Sequence, residues 1–348
     1  MKSIDKFLFL GIHSEAVGHF VRETEILDAL IQDFPVDNLK SKVILCTQKR
    51  ISNRFFLDII SEHYKIFMWP IGHIIVRLMN RLSKSHKVKH DLFTERSIGH
   101  LSRIHSGKSR LINSRMQMKV NNHLGTHLPG LKFKNYVVFA IRDSGYDLNR
   151  FDNFDLQNEE YRNTPIGLFL PTFNYFKSKN VSIIRVGRHN NTSINSYFPE
   201  GIEVSSIKCE IPDLCDFAIF SGAKMVYSTG TGVDEIGVFL RKPTIYINVS
   251  PFGNVPKSPL IKAMLASDYF DETGRRLSLS ELLENNLHLI RPVELIRQGK
   301  IQIRPKSAES ILSFISAFEE ALPRQKAIEV VRSLAKSGAG EQWENVLY

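Results

Sequence analysis

The sequence predicts an α/β protein of two domains, each built on a parallel sheet, and three observations carry that expectation. Short apolar runs alternate with amphipathic helical stretches along most of the chain, as in βαβ units. The 348 residues exceed what a single core ordinarily serves. A stretch near residue 225, KMVYSTGTGVDEIGVFLRKPTIYINVS, reads as strand, small-residue loop, helix and strand in direct succession.

Taken in order, residues 7–12 give a first strand and residues 21–31 a helix with Ile26, Leu27, Leu30 and Ile31 on one face. Gly18 and His19 are expected in the loop between them, at a strand's carboxyl end, where ligands of such sheets bind. Residues 43–46 are a second strand, 52–60 a helix and 66–69 a third strand. Residues 72–125 differ in character, with eleven Lys or Arg against Asp91 and Glu95 as the only acidic residues. The Pro129-Gly130 stretch marks a linker, which places the domain boundary near residue 130.

The second domain, 131–322, opens with the strand 136–141 and the charged loop Arg142-Asp143-Ser144-Gly145. A helix over 166–177, the strand 181–186, Gly187-Arg188-His189 and a helix over 214–221 lead to the central stretch, where 225–227 is a strand, 233–240 a helix and 244–249 a strand. Helices over 277–283 and 308–322 follow, and 323–348 is expected to be a helical tail.

Composition is that of a globular protein, 43% hydrophobic and 24% charged. A net charge of +10 favours an anionic partner. Nucleic acid is disfavoured, because Phe93 is the one aromatic residue in the basic stretch available for base stacking. Phosphate on a substrate, acidic lipid, or a solvated basic face with no partner each account for the charge. Cys46, Cys209 and Cys215 form no metal-type or redox spacing, and their odd number suits a reducing compartment. The apolar run at the amino terminus is short for a signal peptide, and no run reaches the roughly 18 apolar residues of a membrane span. The expected location is cytoplasmic, with peripheral contact at the inner face of the cytoplasmic membrane.

The loop Ser228-Thr229-Gly230-Thr231-Gly232 carries the chemical expectation. A glycine-rich turn entering a helix presents unpaired backbone N–H groups to an anion, and the hydroxyls add donors. It is neither the dinucleotide fingerprint nor a P-loop, and it also reads as a plain capped turn. Asp234 and Glu235, just inside the helix, are candidates to accept from sugar hydroxyls, and Arg142, Arg185 and Arg188 at successive strand ends are candidates for a diphosphate. Arg142 also reads as the partner of Asp143 or Asp147. His19 is a candidate general base or a surface histidine.

These stretches resemble, in order, a provisionally named family of bacterial glycosyltransferases whose genes accompany surface-polysaccharide biosynthesis. The resemblance rests on Gly18-His19 with Glu23 and Glu25, on RDSGY at 142–146 followed by Arg162-Asn163, and on IIRVG at 183–187. It continues through DFAIFSGAKMVYSTGTG ending at Gly232 and LSLSELLEN at 277–285. The chain departs from the family at Val186, where methionine is usual, and at Val233-Asp234-Glu235 after the loop.

The resemblance implies a GT-B-like fold, two Rossmann-like domains facing across a cleft, with the acceptor on the domain 1–130 and a nucleotide-sugar donor on the domain 131–322. It implies transfer of a sugar to a surface-polysaccharide or lipid-linked glycan acceptor without a bound metal or tightly held cofactor. His19 or Glu23 would act as base, and Arg142 with the loop would hold the diphosphate. The alternatives are a sugar-nucleotide epimerase or hydrolase of the same architecture, and a non-catalytic basic adaptor for nucleic acid or membrane.

Overall fold

The computed structural model describes residues 8–33, 43–72, 74, 111–127, 135–145, 160–255, 260–321 and 346–347. The expected linker, most of the basic stretch and nearly all of the expected helical tail lie outside the described residues.

The amino-terminal part is a parallel sheet in the order β1 (Leu8–Ile12), β2 (Val43–Thr47) and β3 (Lys65–Phe67). All five residues of β2 are buried, which explains why VILCT reads as a continuous apolar run rather than an alternating one. Between these strands lie α1 (Val17–Asp33) and α2 (Arg54–Ser61). Helix α2 begins at Asn53, whose side chain accepts from Phe56 N, and it buries Phe55, Phe56, Ile59 and Ile60. Helix α1 begins earlier than its apolar pattern foretells, so Gly18 and His19 sit in its first turn instead of in the preceding loop.

After α3 (Ser114–His127), the chain enters a second sheet of parallel strands in the order β6-β5-β4-β7-β8-β9-β12. Their ranges are β4 Tyr136–Ala140, β5 Ser182–Arg185, β6 Ile202–Glu203, β7 Val226–Ser228, β8 Thr244–Val249, β9 Ile261–Ala266 and β12 Val346–Leu347. The pair β10 (Asp268–Asp271) and β11 (Ile301–Arg304) is antiparallel and separate. The edge strand β12 pairs with Met264 and Leu265, bringing residues assigned to the expected tail onto this sheet.

Both faces of the second sheet are covered, and alternate residues serve each. Val137, Phe139, Ile183, Tyr227, Ile245 and Ile247 pack under α4 (Leu170–Ser178) and the Ala308–Ala321 helix. Val138, Ala140, Ile184 and Val226 face the opposite way, toward α3 and α5 (Pro212–Gly222). That second core does not end at the sheet. It runs on through Phe217, Ile236 and Phe239 into Phe56, Phe20, Ile12 and Leu10 of the amino-terminal part. Phe56 lies edge-on to Phe239 with ring centroids 5.3 Å apart and stacks on Phe217 at 6.2 Å. An apolar seam of helices therefore holds the two sheets in fixed relation.

Candidate active site

Strand order locates the site. From β4 the chain moves outward to β5 and β6, then returns to β7 on the other side of β4. At such a reversal the two connections leave in opposite directions, and a crevice opens beyond the carboxyl ends of the central pair. The residues at those two ends are Arg142-Asp143 and the loop Ser228 to Gly232.

The loop is held by its own polar groups. Thr229 N donates to Ala140 O (3.0 Å), and Arg142 N donates to Thr229 Oγ1 (2.7 Å), so the two strand ends are tied across the reversal. Ser228 Oγ donates to Asp234 Oδ2 (2.6 Å) and accepts from Gly230 N (2.9 Å). Gly230 and Gly232 have φ of 80° and 84°, the left-handed region that a side chain disfavours. This curl leaves the amides of Thr231, Gly232 and Val233 donating to no described residue. Among the described residues, the buried hydroxyl of Thr231 has no hydrogen-bond partner, and neither does that of Thr164. Arg162 approaches from the side and donates to Gly230 O (3.4 Å). The helix that follows, α6 (Glu235–Phe239), has five residues where eight were expected, so the loop's own N–H groups, more than a helix dipole, make the mouth donor-rich.

From the amino-terminal part, the first turn of α1 is set against this loop. A Cβ on Gly18 would lie 2.8 Å from Gly232 Cα and 2.9 Å from its carbonyl oxygen, so backbone touches backbone there and only glycine fits. One residue on, His19 Nδ1 lies 3.3 Å from Glu23 Oε1. Glu23 also accepts from His13, whose Nδ1 is 2.8 Å and 2.9 Å from its two oxygens and whose backbone N is 3.2 Å away. Burial raises the Glu23 pKa, but the hydrogen bonds from His19 and His13 and the charge of His13 outweigh it, and the carboxyl ends below its ordinary value. A carboxylate holding the Nδ1 side of an imidazole leaves Nε2 as the proton acceptor. His19 and Glu23, expected as alternative bases, are thus partners in one cluster.

Several expected ligand residues are placed otherwise. Arg185 is fully buried. It donates to Asp143 Oδ2 (2.9 Å), Ile141 O (3.4 Å) and Thr192 O, with Glu203 Oε2 at 3.8 Å. A guanidinium that deep must be met by internal acceptors, and it braces the ends of β4 and β5 rather than facing a ligand. Arg188 is paired with Asp213 (2.7 Å) and Asp216 (2.5 Å) of α5, and Asp213 also accepts from Arg54 N (2.6 Å) at the start of α2. Arg188 therefore serves the seam between the two parts. Asp234 is 2% exposed and spent on Ser228, and Glu235 is 3% exposed and paired with Arg22 of α1. Both carboxylates are buried and engaged within the protein in this arrangement. Glu25, in the resemblance a trailing acidic residue, is buried against Arg241 at 2.8 Å.

His13 and Arg162 join the site without having been assigned to it. His13 follows β1 directly, the same strand-end signal that singled out Gly18 and His19. The cysteines also depart from expectation, because Cys209 and Cys215 converge with His123. Among the described residues no helix is long and apolar enough to cross a membrane.

No protein-family model matches the chain, and no curated protein matches it. Two solved structures are similar in shape. The E. coli ADP-heptose LPS heptosyltransferase II shares 10% identity at a TM-score of 0.42, over 83% of this chain and 97% of that one. A glycosyl transferase family 9 structure from Veillonella parvula shares 11% identity at a TM-score of 0.46, over 90% of this chain and 96% of that one.

Proposed function

We propose that this chain is a glycosyltransferase that moves a sugar from a nucleotide-sugar donor to a surface-polysaccharide or lipid-linked glycan acceptor, with no metal at the reacting centre. The observation that carries the proposal is the coincidence of the topological reversal between β4 and β7 with the donor-rich loop 228–232 and Arg142. The ordered sequence motifs that resemble bacterial polysaccharide glycosyltransferases point the same way.

In this reading the donor's diphosphate lies against the amides of Thr231, Gly232 and Val233 and the Thr231 hydroxyl, with the Arg142 guanidinium alongside. His19 takes the proton of the acceptor hydroxyl through Nε2, and Glu23 holds the ring in the required tautomer. The acceptor oxygen then bonds to the anomeric carbon as the bond from that carbon to the phosphate oxygen breaks. The fixed donors offset the negative charge arriving on the diphosphate, an electrostatic contribution that costs no reorganisation during reaction. The charge of the basic stretch 72–125 supports contact with the acidic inner face of the membrane, where a lipid-linked acceptor would be found.

The decisive experiment is a thermal-shift series with nucleoside diphosphates and nucleotide sugars, paired with mass spectrometry of each donor incubated with and without membrane extract. A ligand at a hundred times its Kd adds about 2.7 kcal/mol to the folded state, a rise of several degrees. Donor-dependent shifts with sugar released only in the presence of acceptor, and co-sedimentation with anionic vesicles, are the expected results. Isomerised or hydrolysed sugar without acceptor assigns the site to an epimerase or hydrolase instead. The absence of a shift with any nucleotide defeats the proposal.

A further inference from the structure

A second constellation lies apart from the reversal loop. His123 belongs to α3, Cys209 to the segment between β6 and α5, and Cys215 to the first turn of α5. Their ligand atoms, one nitrogen and two sulfurs, all lie within 4.8 Å of one another, and His123 Nε2 is 3.0 Å from Cys209 Sγ. His123 and Cys215 are buried, while Cys209 is half-exposed and gives the cluster one side open to solvent. Around a tetrahedral zinc with ordinary bond lengths, the nitrogen–sulfur and sulfur–sulfur edges would be about 3.6 Å and about 3.8 Å. The one nitrogen–sulfur distance of 3.0 Å is about 0.6 Å short of that edge, and the 4.8 Å limit on the other two leaves each within about 1.2 Å of its edge if it is longer.

We propose that His123, Cys209 and Cys215 form a zinc(II) site that fastens α3 to α5, with the fourth position open to water on the Cys209 side. The donor set argues for the metal. Two thiolates and an imidazole suit a borderline-soft ion, whereas magnesium and calcium require oxygen ligands, and copper and iron–sulfur centres call for other geometries or more sulfur. The location argues for a structural purpose. Helix α3 is the last described helix before the second sheet, and α5 lies under that sheet, where Tyr136 of β4 donates to Ile219 O at 2.7 Å. Beyond the cluster, α3 and α5 are linked by Gln117 Nε2 donating to Ser221 Oγ at 3.3 Å. Binding replaces two S–H protons by the metal and releases both to solvent, with the imidazole neutral, so the pair of thiolates balances the charge of the ion. This inference stands whether or not the chain transfers sugar, because none of the three residues belongs to the reversal site.

The test is cobalt(II) titrated into the reduced, metal-stripped full-length protein. One equivalent should produce a near-ultraviolet thiolate-to-cobalt band and the visible bands of four-coordinate cobalt, and zinc(II) should erase both. The Cys209→Ser, Cys215→Ser double variant should lose the spectrum, His123→Ala should weaken cobalt binding at least tenfold, and Cys46→Ser should keep it. Should the double variant fail to fold, alkylation of the wild-type protein answers the same question, since zinc should protect Cys209 from iodoacetamide. A reduced protein that gives no cobalt spectrum overturns the proposal, as does a double variant that keeps it. A single titratable thiol in the freshly purified, denatured protein also overturns it, because a Cys209–Cys215 disulfide would then occupy both sulfurs.

Discussion

The chain leaves β4, β5 and β7 at the same edge of one sheet, with Arg142 following β4 and Arg185 and Arg188 at the end of β5. After β5 those guanidinium groups meet carboxylates from elsewhere in the chain, Asp143 for Arg185 and both Asp213 and Asp216 for Arg188. After β4 and β7 the chain instead turns its own amides and hydroxyls outward, and the backbone of Arg142 is anchored on Thr229. Strand order explains the difference. Between β4 and β5 the chain runs in one direction and its connection closes over the sheet, whereas at β4 and β7 the connections part and leave donors facing the gap. A cation at a strand end thus signals a ligand only where the topology leaves room for one.

The largest expected effect separates structure from binding on the β5 side. Arg185→Ala removes a fully buried guanidinium and leaves Asp143 and Glu203 without it, a loss of about 3–5 kcal/mol by the behaviour of broken buried ion pairs. Urea denaturation should show it, and the fraction that remains folded should bind nucleotide as the wild type does. A loss under about 1 kcal/mol, together with weakened nucleotide binding, would return Arg185 to the ligand and collapse the contrast.

Next in size is His19→Gln, on the reversal side. Removing the proposed general base should lower turnover by about a hundredfold or more, equivalent to about 2.7 kcal/mol, while the thermal shift with donor persists. If turnover survives and His13→Gln abolishes it, the proton goes to the imidazole that Glu23 holds at 2.8 Å instead.

Much of this was legible beforehand, and the boundary of what was legible is physical. Strands buried on both faces appear as unbroken apolar runs, so YVVFA of β4 and TIYINV of β8 are evident from the sequence. Strand β9, with Lys262 interrupting IKAMLA, and the half-exposed IQIR of β11 carry no such run. The loop 228–232 could be found because glycine and hydroxyl residues cluster locally. That Arg185 and Arg188 are taken up by internal carboxylates could not, since that depends on which strands are neighbours and on Asp143, Glu203, Asp213 and Asp216, whose pairing is set by the fold. The burial of Asp234 and Glu235 was hidden for the same reason. Their position after a glycine loop looks like a ligand site, but α1 packs close enough for Arg22 to claim Glu235. The meeting of Cys209, Cys215 and His123 is equally non-local.

Arg142→Ala sharpens the comparison from the binding side. It should weaken nucleotide binding or transfer by about tenfold, equivalent to roughly 1.4 kcal/mol, while the backbone bond to Thr229, which needs no side chain, stays in place. Calorimetric titration with the donor found in the thermal-shift series is the measurement. Unchanged affinity and turnover would remove Arg142 from the site and leave the loop amides as the whole anion hold.

The smallest expected effect is a pH dependence whose sign differs between the two regions. Burial raises the Asp216 pKa from the ordinary 3.8 to about 6, although Arg188 pulls it down. The folded chain therefore holds a proton there, at intermediate pH, that the unfolded chain has released. The stability this group contributes is fully present below its unfolded pKa and is lost as pH rises through the folded one. Glu23, in the cluster with His13 and His19, is lowered and works in reverse, its contribution being lost only as pH falls below the ordinary carboxylate range. Asp216→Asn, a neutral replacement of the same shape, should accordingly gain on the wild type by about 1 kcal/mol between about pH 5 and about pH 7.5, read from urea midpoints at the two values. A gap that is flat with pH, or that widens toward acid, would mean that Arg188 keeps Asp216 ionised throughout. The β5 side would then be an ion-pair network held by charge at every working pH rather than one whose buried carboxyl takes up a proton below about pH 6.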